Sequence, residues 1–377
     1  MTIEAAIPLG VAIVPLAERP DDGAALVSPS VLIGRPDDRD AMLALAEATD
    51  VITFDHELVD VAILRELEDR GHAVRPGSAV MALVQDKLLQ RRTLAELGCP
   101  VPEYGPVNGV ADVEQFGAAY GWPVIVKAVR GGYDGRGVWV VGDAAEAARL
   151  LDELGPEARL LVERRVALVR EVAVQIARRP SGEMAVYPVV ETVQVAGICR
   201  ELRYPAQVTG ATADQAIELA GRIAEAIGLV GLLAVELFVE LDADGAERLT
   251  VNELAARPHN SAHWTIEGSV TSQFAQHLRA VLDWPLGATG AVAPAVASVN
   301  ILGADGASGD PGLRLPQALT DRDARVHLYG KVARPGRKIG HVTLTGDDLD
   351  DLSVRAHRGA AILSGEAVAR TDGVLDV

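Results

Sequence analysis

Two rhythms of apolar residues alternate along the chain. Val11–Leu16 and Asp50–Phe54 are short, nearly unbroken apolar runs, the pattern of strands buried on both faces. Between them, Asp38–Ala48 spaces its apolar residues as an amphipathic helix does. This alternation predicts βαβ units and a parallel sheet. The pattern changes after Pro100-Val101-Pro102. Pro123–Val129, Gly137–Val141, Arg159–Glu163 and Glu171–Ala177 read as strands, and Asp143–Glu153 reads as a helix. The best-marked helix spans Ala213–Ile227: Thr212 followed by Gln215 fits a capping box, and Gly228 stands where a C′ glycine belongs. A hairpin follows, with strands Gly231–Leu241 and Arg248–Leu254 around an Asp242–Gly245 turn. From about residue 288 an Ala/Val/Gly/Pro-rich stretch leads to a small C-terminal unit with short strands near Ser298–Leu302 and His341–Leu344. No internal repeat is visible.

Composition narrows the class. With 377 residues, the chain can build two or three sub-domains, and 49% hydrophobic residues with 4% aromatics is an ordinary globular mixture. No apolar run approaches the ~18 residues a membrane span needs, and no basic segment precedes an apolar stretch and cleavage site as in a signal peptide. Cys99 and Cys199 form no disulfide or zinc spacing. A cytosolic protein is expected. The net charge of −18 argues against nucleic acid and membrane as partners, because such a surface repels polyanions. A small phosphorylated ligand needs only a local group of cations.

Four segments carry chemistry. In the hairpin, Glu236 lies inside Leu-Leu-Ala-Val-Glu-Leu-Phe-Val and Glu253 inside Leu-Thr-Val-Asn-Glu-Leu. If Leu241 pairs with Arg248 across the turn, the ladder also pairs Glu236 with Glu253, about 4.5–5.5 Å apart on one face. Two carboxylates so placed repel unless one is protonated or a cation sits between them. Mg2+ is held by one or two carboxylates together with substrate phosphates. Two incidental acids on a solvent-facing strand are the plain alternative. The second segment, Arg130-Gly-Gly-Tyr-Asp-Gly-Arg-Gly137, follows the strand carrying Lys127. Its backbone can approach phosphates closely, with Lys127 as a point charge beside it. The spacing is not that of a Walker loop, and an ordinary hairpin turn is the alternative. The third, Arg257-Pro-His-Asn-Ser-Ala-His263, crowds cationic and polar groups directly after the Glu253 strand and suits an anion. The fourth, Lys331–His341, sets several cations around a Pro-Gly turn in an acidic protein, against the alternative of a solvated surface loop.

Taken together and in this order, these four segments resemble the N5-carboxyaminoimidazole ribonucleotide synthase family of the ATP-grasp superfamily, and three stretches carry the match. They are Gly131-Gly-Tyr-Asp-Gly-Arg-Gly137, Asn252-Glu-Leu-Ala-Ala-Arg-Pro-His-Asn-Ser-Ala-His-Trp-Thr265 and Arg334-Pro-Gly-Arg-Lys-Ile-Gly-His341. The likeness runs from about residue 3 to 345. It implies an α/β and α+β ATP-grasp fold: a truncated Rossmann-like domain over 1–98, an ATP-grasp domain over 99–287 with a mobile lid at about 101–170, and a small β-rich domain over 288–377. It implies an ATP-dependent carboxylase-ligase using ATP and two Mg2+ ions. Bicarbonate attacks the γ-phosphate to give carboxyphosphate, and 5-aminoimidazole ribonucleotide captures the carboxyl group. A homodimer is implied as well.

Residue by residue, the resemblance assigns Lys87 and Lys127 to the ATP phosphates and the Gly132–Val138 loop (Gly132, Tyr133, Asp134, Gly135, Arg136, Gly137, Val138) to the lid over them. Glu163, Arg164, Arg165 and Val166 form the adenine hinge, and Glu171 holds the ribose. Glu236 and Glu253 take the metal, with Asn252 beside them. The acceptor ribonucleotide is assigned to Tyr133, Asp134, Arg136, His259, Asn260, Lys331, Arg337 and Lys338. Lys127, Arg257, Asp134 and His259 are the implied catalytic set, Arg257 stabilising carboxyphosphate. Three departures stand out. Family members begin with a strand and a Gly-Gly-Gly-Gln-Leu-Gly-like loop, whereas Met1–Leu9 resembles the helix that follows that loop. Gln194 replaces a nucleotide-contacting His, and Ala256 and Ala262 replace the commoner Pro and Gly. Another ATP-grasp ligase and a nucleotide-binding inactive paralogue are the competing readings.

Overall fold

The computed structural model describes residues 1–132, 135–304 and 310–365. The N-terminal region carries two parallel pairs, β1 (Leu16–Ala17) with β2 (Leu32–Ile33) and β3 (Val51–Ile52) with β4 (Ala73–Val74). Helices cover them, and acids cap three: Asp38 for Arg39–Ala48, Asp60 for Val61–Asp69 and Asp86 for Lys87–Glu96, each accepting backbone N–H groups at its helix start. The predicted parallel pairing is present. The predicted strand Val11–Leu16 is not, because only its last residue, Leu16, joins a ladder.

A four-stranded antiparallel sheet follows, built from β5 (Tyr104–Val107), β6 (Val124–Ala128), β7 (Val138–Val141) and β8 (Leu160–Arg164) in the order β5-β8-β6-β7. Helices Val110–Tyr120 and Ala144–Leu154 pack on it, closing a separate core around Val113, Val126 and Val162. The glycine loop joins β6 to β7, as the sequence pattern implies.

The largest sheet is antiparallel and has nine strands: β9 (Leu168–Arg178), β10 (Met184–Val186), β11 (Val190–Val195), β12 (Ile198–Tyr204), β13 (Gly231–Leu241), β14 (Glu247–Ala255), β15 (Ala295–Leu302), β16 (Arg325–Leu328) and β17 (Lys338–Gly346). Its order is β14-β13-β9-β11-β12-β15-β17-β16, with β10 on β9. It runs from the carboxylate hairpin into the C-terminal strands without a break, so both halves of the cleft share one rigid floor. Helix Leu349–Ser364 covers the C-terminal end, with Leu352, Ala356 and Leu363 buried against Val342 and Leu344. Among the described residues no helix is long and apolar enough to cross a membrane.

One helix start needs correction. The helix expected from Ala213 spans Gly210–Ala226, and its cap is Thr209, whose hydroxyl accepts Thr212 N–H at 3.2 Å. Thr212 itself is buried inside the first turn. The earlier threonine wins because its backbone is extended, the conformation a cap requires.

Candidate active site

Glu236 on β13 and Glu253 on β14 are direct ladder partners, as the hairpin pattern predicts, but the register reaches that pairing differently. At the turn end Leu241 pairs with Glu247 rather than Arg248. The ladder then shifts by one between Leu237 and Glu236, because Val251 pairs with Leu237 and Asn252 is the extra residue. A β-bulge adds twist and re-aims a side chain. Here it restores the carboxylate pair and turns Asn252 inward, its Oδ1 3.5 Å from Lys127 Nζ.

The acids differ in charge state. Burial, then the charges of Glu253 and Glu171, push the Glu236 carboxyl up to about 7. Glu253 moves the other way: burial is outweighed by Lys87, whose ammonium bonds its Oε1 directly. Glu253 is 40% exposed, yet that exposure is to the floor of a deep cleft, so protein surrounds it while water reaches it. Two acidic oxygen donors side by side, one raised to about 7 by burial and by its acidic neighbours, with an amide oxygen adjacent, form the hard-oxygen set a Mg2+ ion accepts.

Below this pair lies a dry ion triad. Lys127 Nζ and Arg91 Nε each sit 2.6 Å from one oxygen of Glu163, and none of the three side chains is more than 10% exposed. Burial alone would raise the Glu163 carboxyl, but the two cations hold it at about 2. Arg91 also donates to the Asn252 carbonyl at 2.6 Å, pinning the bulge to helix Lys87–Glu96. Glu163 lies at the head of the 163–166 segment along the cleft wall, with its side chain committed to this triad and followed by Arg164, Arg165 and Val166. Arg164 is itself tied to Glu103 and Glu240.

On the opposite wall, burial raises the Glu171 carboxyl to about 7, and Gln194 bonds to it, which works against that rise. Gln194 therefore has a partner in this site. The glycine loop crosses above. Gly135 and Gly197 both have φ of 76°, and a Cβ on Gly135 would stand 3.2 Å from the Gly197 Cα. This close backbone approach to the β11–β12 turn needs glycine at both positions. Tyr133 and Asp134 lie outside the described residues.

The far end of the cleft holds the other two motifs. Arg257 is 2.8 Å from Glu57 of the N-terminal region. His259 accepts Ser261 N–H and lies 3.8 Å from Glu236; burial first, and the charges of Arg257 and Lys338, keep its imidazole neutral. Gln273 grips the His259 backbone on both sides, its Oε1 accepting the N–H and its Nε2 donating to the C=O, each at 2.8 Å. The basic loop between β16 and β17 is clipped to Gly303, whose N–H donates to the Arg337 carbonyl at 2.9 Å and whose C=O accepts Gly336 N–H at 3.0 Å. Lys331 and Arg337 are exposed and Lys338 is half-buried.

Of the described residues singled out from the sequence, all but Gly137 line one cleft. Gly137 lies behind the loop, against Ala128 and Gly132. Arg91 is the important residue the sequence reading passed over. Its signal was available: it stands four residues after Lys87 on one helix face. The arrangement gathers cations for phosphates, oxygen donors for a metal, and a second cationic bank for another anion.

Comparison with known proteins places the chain in a family. Family models match a ribonucleotide synthetase pre-ATP-grasp domain over 1–85, an ATP-grasp domain over 92–274, and a phosphoribosylaminoimidazole carboxylase C-terminal domain over 296–355. The N5-carboxyaminoimidazole ribonucleotide synthase of Mycobacterium tuberculosis is 46% identical over 373 residues, covering 97% of this chain and 85% of that protein. The Corynebacterium ammoniagenes synthase is 44% identical over 347 residues, covering 91% and 84%. Among solved structures, the Thermus thermophilus synthetase aligns with a TM-score of 0.84 at 36% identity, covering 98% and 96%. The Aspergillus clavatus synthase in complex with ADP and 5-aminoimidazole ribonucleotide aligns with a TM-score of 0.85 at 30% identity, covering 97% and 95%.

Proposed function

The chain belongs to the N5-carboxyaminoimidazole ribonucleotide synthase family of ATP-grasp ligases, and from that premise we propose that it carboxylates the exocyclic amine of 5-aminoimidazole ribonucleotide at the expense of ATP. The observation that carries the reading is the Glu236–Glu253 pair beside Lys87 and Lys127, in the same cleft as the Lys331–Lys338 cations. Bicarbonate is the carboxyl source: its oxygen attacks the γ-phosphorus, ADP leaves, and carboxyphosphate forms. The amine then attacks the carboxyl carbon, phosphate leaves, and the amine loses a proton.

Glu236 and Glu253 hold Mg2+, with Asn252 as a neighbouring oxygen donor. When bound, the metal offsets charge on the transferring phosphoryl group. Lys127, fixed by Glu163 and Arg91, supplies a positive charge that needs no reorganisation as the phosphoryl group moves. Lys87 exchanges Glu253 for phosphate oxygens when the nucleotide enters. Arg257 exchanges Glu57 for the carboxyphosphate in the same way, and neutral His259 hydrogen-bonds without adding charge beside Glu236. Glu171, with Gln194, takes the ribose hydroxyls, and the 164–166 backbone takes adenine. Arg136, Asn260, Lys331, Arg337 and Lys338 bind the acceptor and its phosphate, with Tyr133 and Asp134 completing that set. The glycine loop, seated on Gly197, keeps water from carboxyphosphate.

A cytoplasmic homodimer completes the proposal, and light scattering at twice the chain mass would support the dimer. The test of the reaction is ADP release with Mg-ATP and bicarbonate, with and without the ribonucleotide. Strong stimulation is expected; its absence, with nucleotide still bound, would favour a nucleotide-binding paralogue without this activity.

A further inference from the structure

The motif ending in His341 contains more than phosphate-binding cations. His327 on β16 and His341 on β17 are direct ladder partners, so the basic loop is bracketed at both ends by imidazoles on one face. Their rings lie 4.7 Å apart and 21° from parallel. His327 Nε2 meets Glu267 Oε1 at 2.7 Å. Glu267 belongs to the short helix Thr265–Gly268, which follows directly on the His259–His263 segment. The Tyr329 hydroxyl bonds His341 Nδ1 at 2.8 Å, and the Tyr329 ring carries Lys331 Nζ 5.3 Å from its centroid. His263 packs its ring 5.1 Å from His341 and reaches Gln273, the residue gripping the His259 backbone, at 2.8 Å.

A continuous line of contacts thus runs from His259, beside the metal acids, to Lys331, at the far rim. Most of it is buried: Gln273 is 0% and His341 1% exposed. Among the described residues, His341 Nε2 and Glu267 Oε2 have no hydrogen-bond partner. Leaving such atoms unsatisfied is costly, and an apolar strut would avoid the cost. That cost points to a role in orientation rather than stability. A cation cage fits less well, although one donor atom from each of Glu267, His327 and His341 falls within 4.8 Å of the others. Near-parallel rings send their lone pairs side by side instead of to one point, and His327 already bonds Glu267 directly.

We propose that Glu267, His327, His341 and Tyr329 are positioning residues that hold the Lys331–Lys338 loop against the acceptor side of the cleft and so set affinity for the phosphorylated acceptor. The proposal rests on the reading of that loop as the ribonucleotide site. Steady-state kinetics of wild type, Glu267→Ala, Glu267→Gln and Tyr329→Phe would test it, with melting temperature as a control. Glu267→Ala and Tyr329→Phe should raise KM for the ribonucleotide about ten-fold, the loss of one or two hydrogen bonds. KM for ATP and ribonucleotide-independent ADP release should stay unchanged. Glu267→Gln, which keeps an oxygen for His327, should return KM to within about two-fold of wild type. Variants with unaltered KM values, or with both KM values moving together, would overturn the proposal alone. So would Zn2+ raising the melting temperature of wild type but not of Glu267→Ala, which would show a cage. A wild-type enzyme without ribonucleotide-dependent turnover would overturn the functional reading itself, a different and separable result.

Discussion

At one end of the cleft, Lys127, Glu163 and Arg91 are each 10% exposed or less, and one carboxylate shared by two cations leaves a fixed net positive charge. At the other, Lys331 and Arg337 stand exposed on a loop whose order comes from Gly303 and the histidine stack. The buried end is set in advance by its own counter-ions, and its strength comes from a low effective dielectric. The exposed end works in water, where charge is screened and each cation contributes less. Phosphoryl transfer needs the first kind of site, because charge must be met as it develops. Capture of a phosphorylated acceptor needs only the second.

Four perturbations separate the two. Glu253→Gln removes a carboxylate at the buried end while preserving shape. Ribonucleotide-dependent ADP release should fall by about 10^3-fold, with circular dichroism and melting temperature near wild type. Activity within a few-fold of normal would remove Glu253 from the metal site. Arg91→Met leaves the Glu163 carboxylate with one cation in a dry site and should cost about 3 kcal/mol of unfolding free energy, read by urea titration. A loss typical of an exposed pair would show that the triad is wetter than its burial implies.

Arg337→Ala acts at the exposed end. KM for the ribonucleotide should rise about ten-fold with little change in stability or in KM for ATP. Added salt should mimic part of this effect in wild type, whereas the Arg91 effect should resist salt. The fourth perturbation is pH. The Glu236 carboxyl sits at about 7 in the folded chain against 4.5 for an ordinary one, so folding favours its protonated form. The stability it contributes is complete below about pH 4.5 and is lost as pH rises through about 7. Glu171 adds a loss of the same sign. Metal-free protein should therefore lose about 1–3 kcal/mol between pH 5 and 8, and Glu236→Gln should flatten roughly half of that decline, the rest belonging to Glu171. An unchanged slope in the variant would mean that Glu236 ionises without penalty.

The sequence made the carboxylate hairpin legible because alternation and a short turn are local signals. It did so partly through compensating errors, since neither the turn register nor the bulge at Asn252 is visible in apolar spacing. The basic loop was legible as charge against an acidic background. The Glu163 triad was not, since Glu163 reads equally as a hinge residue until Arg91 is brought beside it from 72 residues away. The short strands β10 to β12 carry mixed faces and were missed, and with them the seat for the glycine loop. His327 and Glu267 gave no signal: their pairing joins segments 60 residues apart.

The bulge at Asn252 has a bearing on how this enzyme can be altered. Because it stands between the turn and the carboxylates, it acts as a slip joint: the pairing at the outer tip is offset from the pairing at the site. The outer end of the hairpin, Asp242 to Ala246, is therefore a natural place for an affinity tag, a fluorophore or a longer loop. Deleting Asn252 would be the opposite kind of edit. It would straighten the ladder while leaving Val251 opposite Leu237 and Glu253 opposite Glu236, so the carboxylate pair would survive and the amide oxygen beside Lys127 would be lost.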